Sequence, residues 1–351
     1  MKQIKVVQVG CGKMSKYIMK YIYDLGGTIV GAVDISEEKI GLDIGEIMET
    51  EKKGIVINDI SRLEEILEET KPDIAVITTM SFLNDVEENI RTCVRCGVNV
   101  ITTSEECFYA ENSNPSVFRE LDILAKANNV TITGCGYQDV FWGNLITVLA
   151  GSTHNITKIK GSSSYNVEDY GVALAEAHGA GLALEEFEKT IASLDNISDE
   201  ERKKIIMMRK FNPSYMWNAV GWIADKMGLT PTRLTQKCVP TTNEEDIHSE
   251  TLGMNIKAGN ATGMSAIATL ETKEGIIIEA ECIGKVYGPN DFDKNEWTIH
   301  GEPTTTVTIN KPNTVELTCA DIVNRIPDVI KAEPGFVSTS KMNEATYKLK
   351  Y

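Results

Sequence analysis

A chain of 351 residues, 42% hydrophobic and 25% charged, has the make-up of a globular protein long enough for two domains. Its formal net charge of −16, from 35 Lys and Arg against 51 Asp and Glu, excludes nucleic acid and anionic membrane as partners, since both demand basic surface. No apolar run reaches bilayer length and the first strand pattern follows directly on Met1 and Lys2, so a cytoplasmic location is expected, with the eight scattered cysteines as free thiols.

The first element is an alternating apolar run ending at Val9, followed by Gly10-Cys11-Gly12-Lys13-Met14-Ser15 and then a helical pattern carrying Tyr17, Ile18, Tyr21 and Ile22. Strand, glycine turn and helix are the context of a dinucleotide fingerprint. Gly10 permits the sharp turn. Gly12 has no β-carbon to hold a pyrophosphate away from the helix N-terminus, where unpaired amides, those around Lys13 and Met14 among them, favour phosphate charge. Ser15, small, replaces the third glycine. The next apolar run, 28–33, ends on Asp34, the place of the acid that binds the adenosine ribose. A carboxylate there repels a 2′-phosphate, so NAD is the expected cofactor, while Lys39 leaves NADP use open.

Residues 37–48 read as mixed helix and loop, 54–57 as a short strand, and 61–69 as an acidic amphipathic helix capped by Ser61. The near-continuous apolar run 72–79 reads as a strand buried on both faces of a parallel sheet. Its end carries Thr78, Thr79 and Ser81, candidates for the nicotinamide half of the cofactor or simple caps of the helix 84–96. Cys93 and Cys96 have redox or metal spacing, but they fall late in that helix without a second pair and read as helix thiols. A strand at 99–103 leads to Glu105 and Glu106, a helix follows at 116–128, and a strand at 130–133 ends in Gly134. Sustained alternation to about residue 135 predicts a doubly wound parallel sheet, a Rossmann domain over 1–135.

The following stretch, 134–142, combines Gly134 and Gly136 with Tyr137, Gln138, Asp139, Phe141 and Trp142, material for a small apolar pocket with polar points. Beyond it, strand-like runs at 156–166, 264–271, 275–284 and 297–309 lack intervening helices, so 136–325 is expected to be an α+β domain with an antiparallel or mixed sheet, one face covered. Helices are expected at 184–194, 198–208 and 214–227, with 240–250 a polar connection. A helix at 320–327 opens the last segment, and 326–351 is expected to return to the first domain. An open-faced second sheet would suit a homodimer.

Chemistry at a nicotinamide needs a group that moves protons while hydride moves. Glu105 and Glu106, at a strand end facing the expected crevice, are the candidate bases. Tyr170 and His178 stand in polar clusters of the second domain. His178 has no partner histidine or cysteine at ligand spacing, and no metal site is expected.

The residues 9–15, 102–106, 134–142 and 167–170, with a later mixed-sheet domain, resemble the 2,4-diaminopentanoate dehydrogenases and native amine dehydrogenases, within the dihydrodipicolinate reductase-like superfamily. The resemblance runs the length of the chain. It implies NAD(P)-dependent oxidative deamination of a small amine, 2,4-diaminopentanoate at C4, to 2-amino-4-oxopentanoate and ammonia, a step of anaerobic ornithine breakdown. The catalytic glutamate would fall on Glu105 or Glu106, with Trp142 and Tyr170 lining the substrate pocket. The sugar and inositol dehydrogenases carry Glu-Lys-Pro where this chain has Glu105-Glu106-Cys107. The reductases carry a histidine pair that Glu176-Ala177-His178-Gly179 does not match. A cofactor-binding regulator without turnover is the reading of a different class.

Overall fold

The computed structural model describes residues 3–351. The chain forms two compact units: the first runs to Asn144 and resumes over Asn313–Tyr351, and the second is Leu145–Pro312. The first unit therefore takes in more than the expected 1–135. It includes the segment through Asn144 and the long helix Thr314–Lys331, as well as the returning tail. Hydrophobicity is the cause. Ile322, Val323, Ile326 and Val329 of that helix are buried in one cluster with Ile18, Met19 and Ile22 of the helix Lys13–Asp24, each such side chain contributing about 1.5–3 kcal/mol.

The first sheet holds β1 (Lys5–Val9), β2 (Thr28–Asp34), β3 (Ile57–Asp59), β4 (Ile74–Ile77), β5 (Asn99–Thr102) and β6 (Thr131–Gly134), with a last short strand Gly335–Phe336. All pairs are parallel, in the order Gly335–Phe336, β6, β5, β4, β1, β2, β3. The order reverses at β1, between β4 and β2, and the carboxyl ends of these strands are where ligands bind in such sheets. Val7, Val9, Ala75 and Val100 pack on one face with the helices Leu83–Arg95 and Pro115–Ala127, and Val6, Ala32, Val76 and Ile101 on the other.

Several local expectations shift. The third strand begins at Ile57 rather than Gly54, and the acidic helix is Leu63–Thr70 with no side-chain cap. Ser61 lies in the 3-10 turn Ile60–Arg62 before it, which Asp59 caps by accepting from the Ser61 amide at 2.9 Å. Pro327 does not end the last helix as expected. A proline at this position leaves the Val323 carbonyl without its helical donor, and the Tyr351 hydroxyl donates to it instead at 2.9 Å.

In the second unit β7 (His154–Asn166), β8 (Pro231–Thr242), β11 (Ala261–Thr272), β12 (Ile277–Lys285), β13 (Lys294–Glu302) and β14 (Thr305–Asn310) form a sheet in the order β14, β13, β7, β12, β11, β8, and β9 (Ile247–Ser249) pairs with β10 (Met254–Ile256). Only β7 and β12 run parallel, so the sheet is mixed. The run at 297–309 is a hairpin, and β8 is a strand the sequence pattern did not disclose. The wholly buried core of the helix Tyr215–Lys226 packs on β8, β11 and β12. The opposite face alternates Lys158, Lys160, Glu279, Glu281 and Lys285, all partly or fully exposed. Among the described residues no helix is long and apolar enough to cross a membrane.

Candidate active site

The glycine turn after β1 has the geometry of the fingerprint. Gly10 has φ +85, and a β-carbon there would lie 2.7 Å from Thr79 Cγ2 and 3.0 Å from the Thr78 carbonyl. A β-carbon on Gly12, in contrast, would meet nothing within 4 Å. No side chain caps the helix that begins at Lys13, and no acid stands in its first turn. An uncapped helix N-terminus with open space before it is suited to a pyrophosphate. Ser15 is wholly buried, and its hydroxyl donates to the Gly12 carbonyl at 2.7 Å, so the third position is filled without a stranded polar group.

Asp34 stands at the end of β2, next to this turn. Its Oδ2 accepts from the Cys11 amide at 2.6 Å and its Oδ1 from the Ser36 amide at 2.8 Å, and Lys39 Nζ lies 3.4 Å away. Burial opposes its charge, but the two amides and Lys39 outweigh it and hold the carboxyl below the usual range. The acid is thus ionised and fixed in direction. These residues fit a dinucleotide: Gly12, Lys13 and Met14 at the diphosphate, Asp34 at the adenosine ribose.

Of the three residues expected near nicotinamide, Thr78 turns inward, its hydroxyl donating to the Gly10 carbonyl at 2.9 Å. Thr79 is exposed. Ser81 braces the next turn, its carbonyl accepting from the Glu106 amide at 3.1 Å and the Ser104 hydroxyl at 2.8 Å.

The two glutamates stand in one short 3-10 turn, Glu105–Phe108, after β5, and their surroundings differ. Glu106 is buried. Its Oε2 accepts from the Leu83 amide at 2.7 Å, capping the helix Leu83–Arg95, and its Oε1 accepts from the Ser113 hydroxyl at 2.7 Å. Glu105 is only partly buried and takes a hydrogen bond from the Ser81 side chain, while desolvation pushes its pKa up. Gly134, expected to touch cofactor, is wholly enclosed at the end of β6, where any β-carbon would overlap the backbone of Cys107 and the Phe108 amide. It sets the distance between β6 and the turn that carries Glu105.

Asp139, expected to lend polarity to a pocket, is instead fully enclosed. Its Oδ2 lies 2.7 Å from Arg325 Nε and its Oδ1 accepts from Asn144 at 3.0 Å. Cys135 Sγ lies 2.8 Å from Asp321 Oδ2 in the same cluster, and Arg325 Nη1 donates to the Asn343 carbonyl at 2.6 Å. Cys135, Asp139 and Asp321 bring metal-type donor atoms within 4.8 Å of one another, but the guanidinium already supplies the positive charge. Burial and the Asp139 charge push Asp321 well above the carboxylate range. The folded protein therefore binds one more proton than the unfolded chain between the ordinary carboxylate pKa and this raised one, and Asp321 costs stability as pH rises through that window. Asp321→Asn, which fixes the neutral form, should flatten the loss, seen as a Tm that falls less between pH 5 and pH 9 than in the unaltered chain.

Gln138 is buried beside this cluster, and Tyr137 stacks at 4.5 Å on Phe141, with Trp142 edge-on at 5.8 Å, these two rings standing in the π-helical segment Asp139–Asn144. Tyr170 and His178 lie in the second unit. Tyr170 is exposed and sits edge-on to Tyr165. His178 is buried with both ring nitrogens engaged, Nδ1 at 2.8 Å from the Leu174 carbonyl and Nε2 at 2.7 Å from the Tyr165 hydroxyl. Burial lowers its pKa, so it is a neutral hydrogen-bonding group that orients Tyr165. Sequence reasoning missed Arg325 and Asp321. Their one signal is two charges four residues apart on the apolar face of an amphipathic helix.

A parallel sheet with this strand order, a glycine turn at its reversal and an acid at the end of its second strand are the dinucleotide-binding domain that NAD(P)-dependent dehydrogenases use, and the chain's relatives supply the dehydrogenase class. Residues 141–346 match the 2,4-diaminopentanoate dehydrogenase C-terminal domain, and residues 4–107 the dihydrodipicolinate reductase N-terminus. The structure is similar to an amine dehydrogenase from Mycobacterium smegmatis, with 36% identity, a TM-score of 0.84 and coverage of 100% of this chain and 99% of that one. The sequence is 25% identical to 2,4-diaminopentanoate dehydrogenase of Acetoanaerobium sticklandii over 95% of this chain and 92% of that protein. A myo-inositol 2-dehydrogenase from Lactobacillus plantarum, 12% identical with a TM-score of 0.56 over 94% of this chain and 88% of that one, shares the fold alone. The chain belongs to the amine dehydrogenase family that carries the 2,4-diaminopentanoate dehydrogenase C-terminal domain.

Proposed function

We propose that this enzyme oxidatively deaminates 2,4-diaminopentanoate at C4, with Glu105 as the general base. The observation that carries the reading is the division of labour between adjacent acids. Both oxygens of Glu106 are spent on the Leu83 amide and the Ser113 hydroxyl, whereas Glu105 stays partly exposed at the carboxyl edge of the sheet. The match of residues 141–346 supports the substrate, and the Acetoanaerobium relative supports the same choice.

Bound nicotinamide supplies the hydride acceptor. Glu105 takes a proton from the substrate ammonium, so that the free amine nitrogen can push hydride off C4. Glu105 passes that proton to solvent and, ionised again, deprotonates the water that attacks the iminium left on the substrate. It returns this second proton to the carbinolamine nitrogen, and ammonia departs as the hydroxyl proton is lost and the C4 carbonyl of 2-amino-4-oxopentanoate forms. A carboxylate with a raised pKa is a better proton acceptor and is kept ionised beside a cationic substrate. The product fits a step in ornithine breakdown, in the cytoplasm. Trp142 and Tyr170 are proposed as pocket residues.

The test is a panel of 2,4-diaminopentanoate, simple amines and polyols, with NADH and ammonia both measured. Equimolar ammonia and NADH from the diamine are expected. NADH from polyols without ammonia would replace the reading, and tight NAD binding without reduction of any kind would leave only a binding protein. Because Asp34 is ionised and fixed, kcat/KM for NAD should exceed that for NADP by about tenfold or more. Asp34→Ala should narrow the gap, chiefly through KM for NAD. The open face of the second sheet, with its alternating Lys and Glu, supports a homodimer, since such a pattern can complement itself across a two-fold axis. A monomer by light scattering would dismiss it.

A further inference from the structure

We propose that Gln8 is a positioning residue for the dinucleotide, locking the single peptide plane that joins the glycine turn to Asp34. Gln8 lies inside β1 among Val6, Val7 and Val9 and is wholly buried. Its Nε2 donates to the Gly10 carbonyl at 2.8 Å and to Thr78 Oγ1 at 2.9 Å, and Thr78 Oγ1 donates to that same carbonyl at 2.9 Å. A backbone carbonyl only accepts, so the amide nitrogen, not its oxygen, must face the turn. The other end of the same peptide unit is the Cys11 N–H, which donates to Asp34 Oδ2 at 2.6 Å.

One peptide plane is therefore held at its oxygen by Gln8 of β1 and by Thr78 just after β4, and at its hydrogen by Asp34 at the end of β2. Rotating it would take the Cys11 amide off Asp34 and swing the Gly12 amide that follows. Gly10, with φ +85, adds no steric barrier of its own to such a rotation, so the hydrogen bonds set the orientation. Packing does not call for glutamine here. Its Oε1 is buried and accepts from no group among the described residues, a cost that an apolar side chain of the same length would avoid. The proposal rests on dinucleotide binding and not on the amine chemistry.

The experiment titrates NADH fluorescence, without amine, against Gln8→Met and Gln8→Glu, and adds steady-state kinetics with varied NAD. In Gln8→Met the Kd for NADH and the KM for NAD should rise about tenfold, the scale of one lost hydrogen bond, with kcat at saturating NAD little changed. Its Tm should hold or rise. Gln8→Glu offers a donor to Gly10 only when protonated, so its NADH affinity should weaken as pH rises, a trend absent from Gln8→Met. Thr78→Val should weaken NADH in the same direction, and the double variant should lose less than the product of the singles. NADH affinity of a folded Gln8→Met within about twofold of the parent would overturn the proposal. So would a pH-independent affinity in Gln8→Glu, which decides the matter if Gln8→Met does not fold. Failure of the amine reading would leave this result untouched, because NADH binding needs no amine.

Discussion

Replacing Glu105 by Gln should lower kcat by about 10²–10⁴, the range of a lost general acid–base group, while NADH affinity stays close to that of the parent. Gln keeps the shape and the Ser81 contact but cannot take the ammonium proton or activate water. In the unaltered enzyme kcat/KM should rise with pH as Glu105 ionises, and the acid limb should lie above the ordinary carboxylate range because burial disfavours the charge. The limb should vanish in Glu105→Gln. Glu106→Gln separates the two acids. It keeps one acceptor for the Leu83 amide and should cost stability rather than the chemical step. Stopped-flow NADH formation and urea unfolding on both variants check this. Loss of turnover in Glu106→Gln with normal turnover in Glu105→Gln would reverse the assignment.

The second large effect is expected at Arg325. Both its side chain and that of Asp139 are fully buried, with Nε 2.7 Å from Oδ2. Arg325→Met leaves the Asp139 charge enclosed without a counter-charge and removes the donor to the Asn343 carbonyl. Breaking such a pair from one side costs about 3–5 kcal/mol, a large share of the roughly 5–15 kcal/mol that holds a domain folded. Urea unfolding should show the loss. Adding Asp139→Asn should recover part of it, because the stranded charge goes with its partner.

Much of this architecture is legible in the residues before any coordinates. The run ending in Val9-Gly10-Cys11-Gly12 and the acid at 34 specify strand, turn and strand-end acid because those features are local, each set by backbone conformation and a short side chain. The choice between Glu105 and Glu106 is not local. Consecutive residues of a tight turn point to different sides, and what fixes Glu106 is an amide at Leu83 and a hydroxyl at Ser113. Asp139 is similar: its ion-pair partner lies 186 residues further along the chain, so a polar residue among aromatics reads as pocket lining when it is interior scaffolding. Pro327 stays within a helix because a tyrosine at 351 answers the carbonyl it abandons. β8 escaped notice because the sheet's open face puts Arg233, Thr235 and Lys237 along it, all partly or fully exposed.

The way the first unit is assembled from two separated stretches bears on how the protein is made. The segment to Asn144 emerges from the ribosome with Ile18, Ile22 and Val76 lacking the helix that covers them, and that helix follows only after the 168 residues Leu145–Pro312 have been synthesised. Throughout that interval the nascent chain carries sticky, half-finished surface of the sort that chaperones guard. The glycine turn, synthesised early, waits for the helix Thr314–Lys331 before the apolar cluster that includes Cys11 is closed.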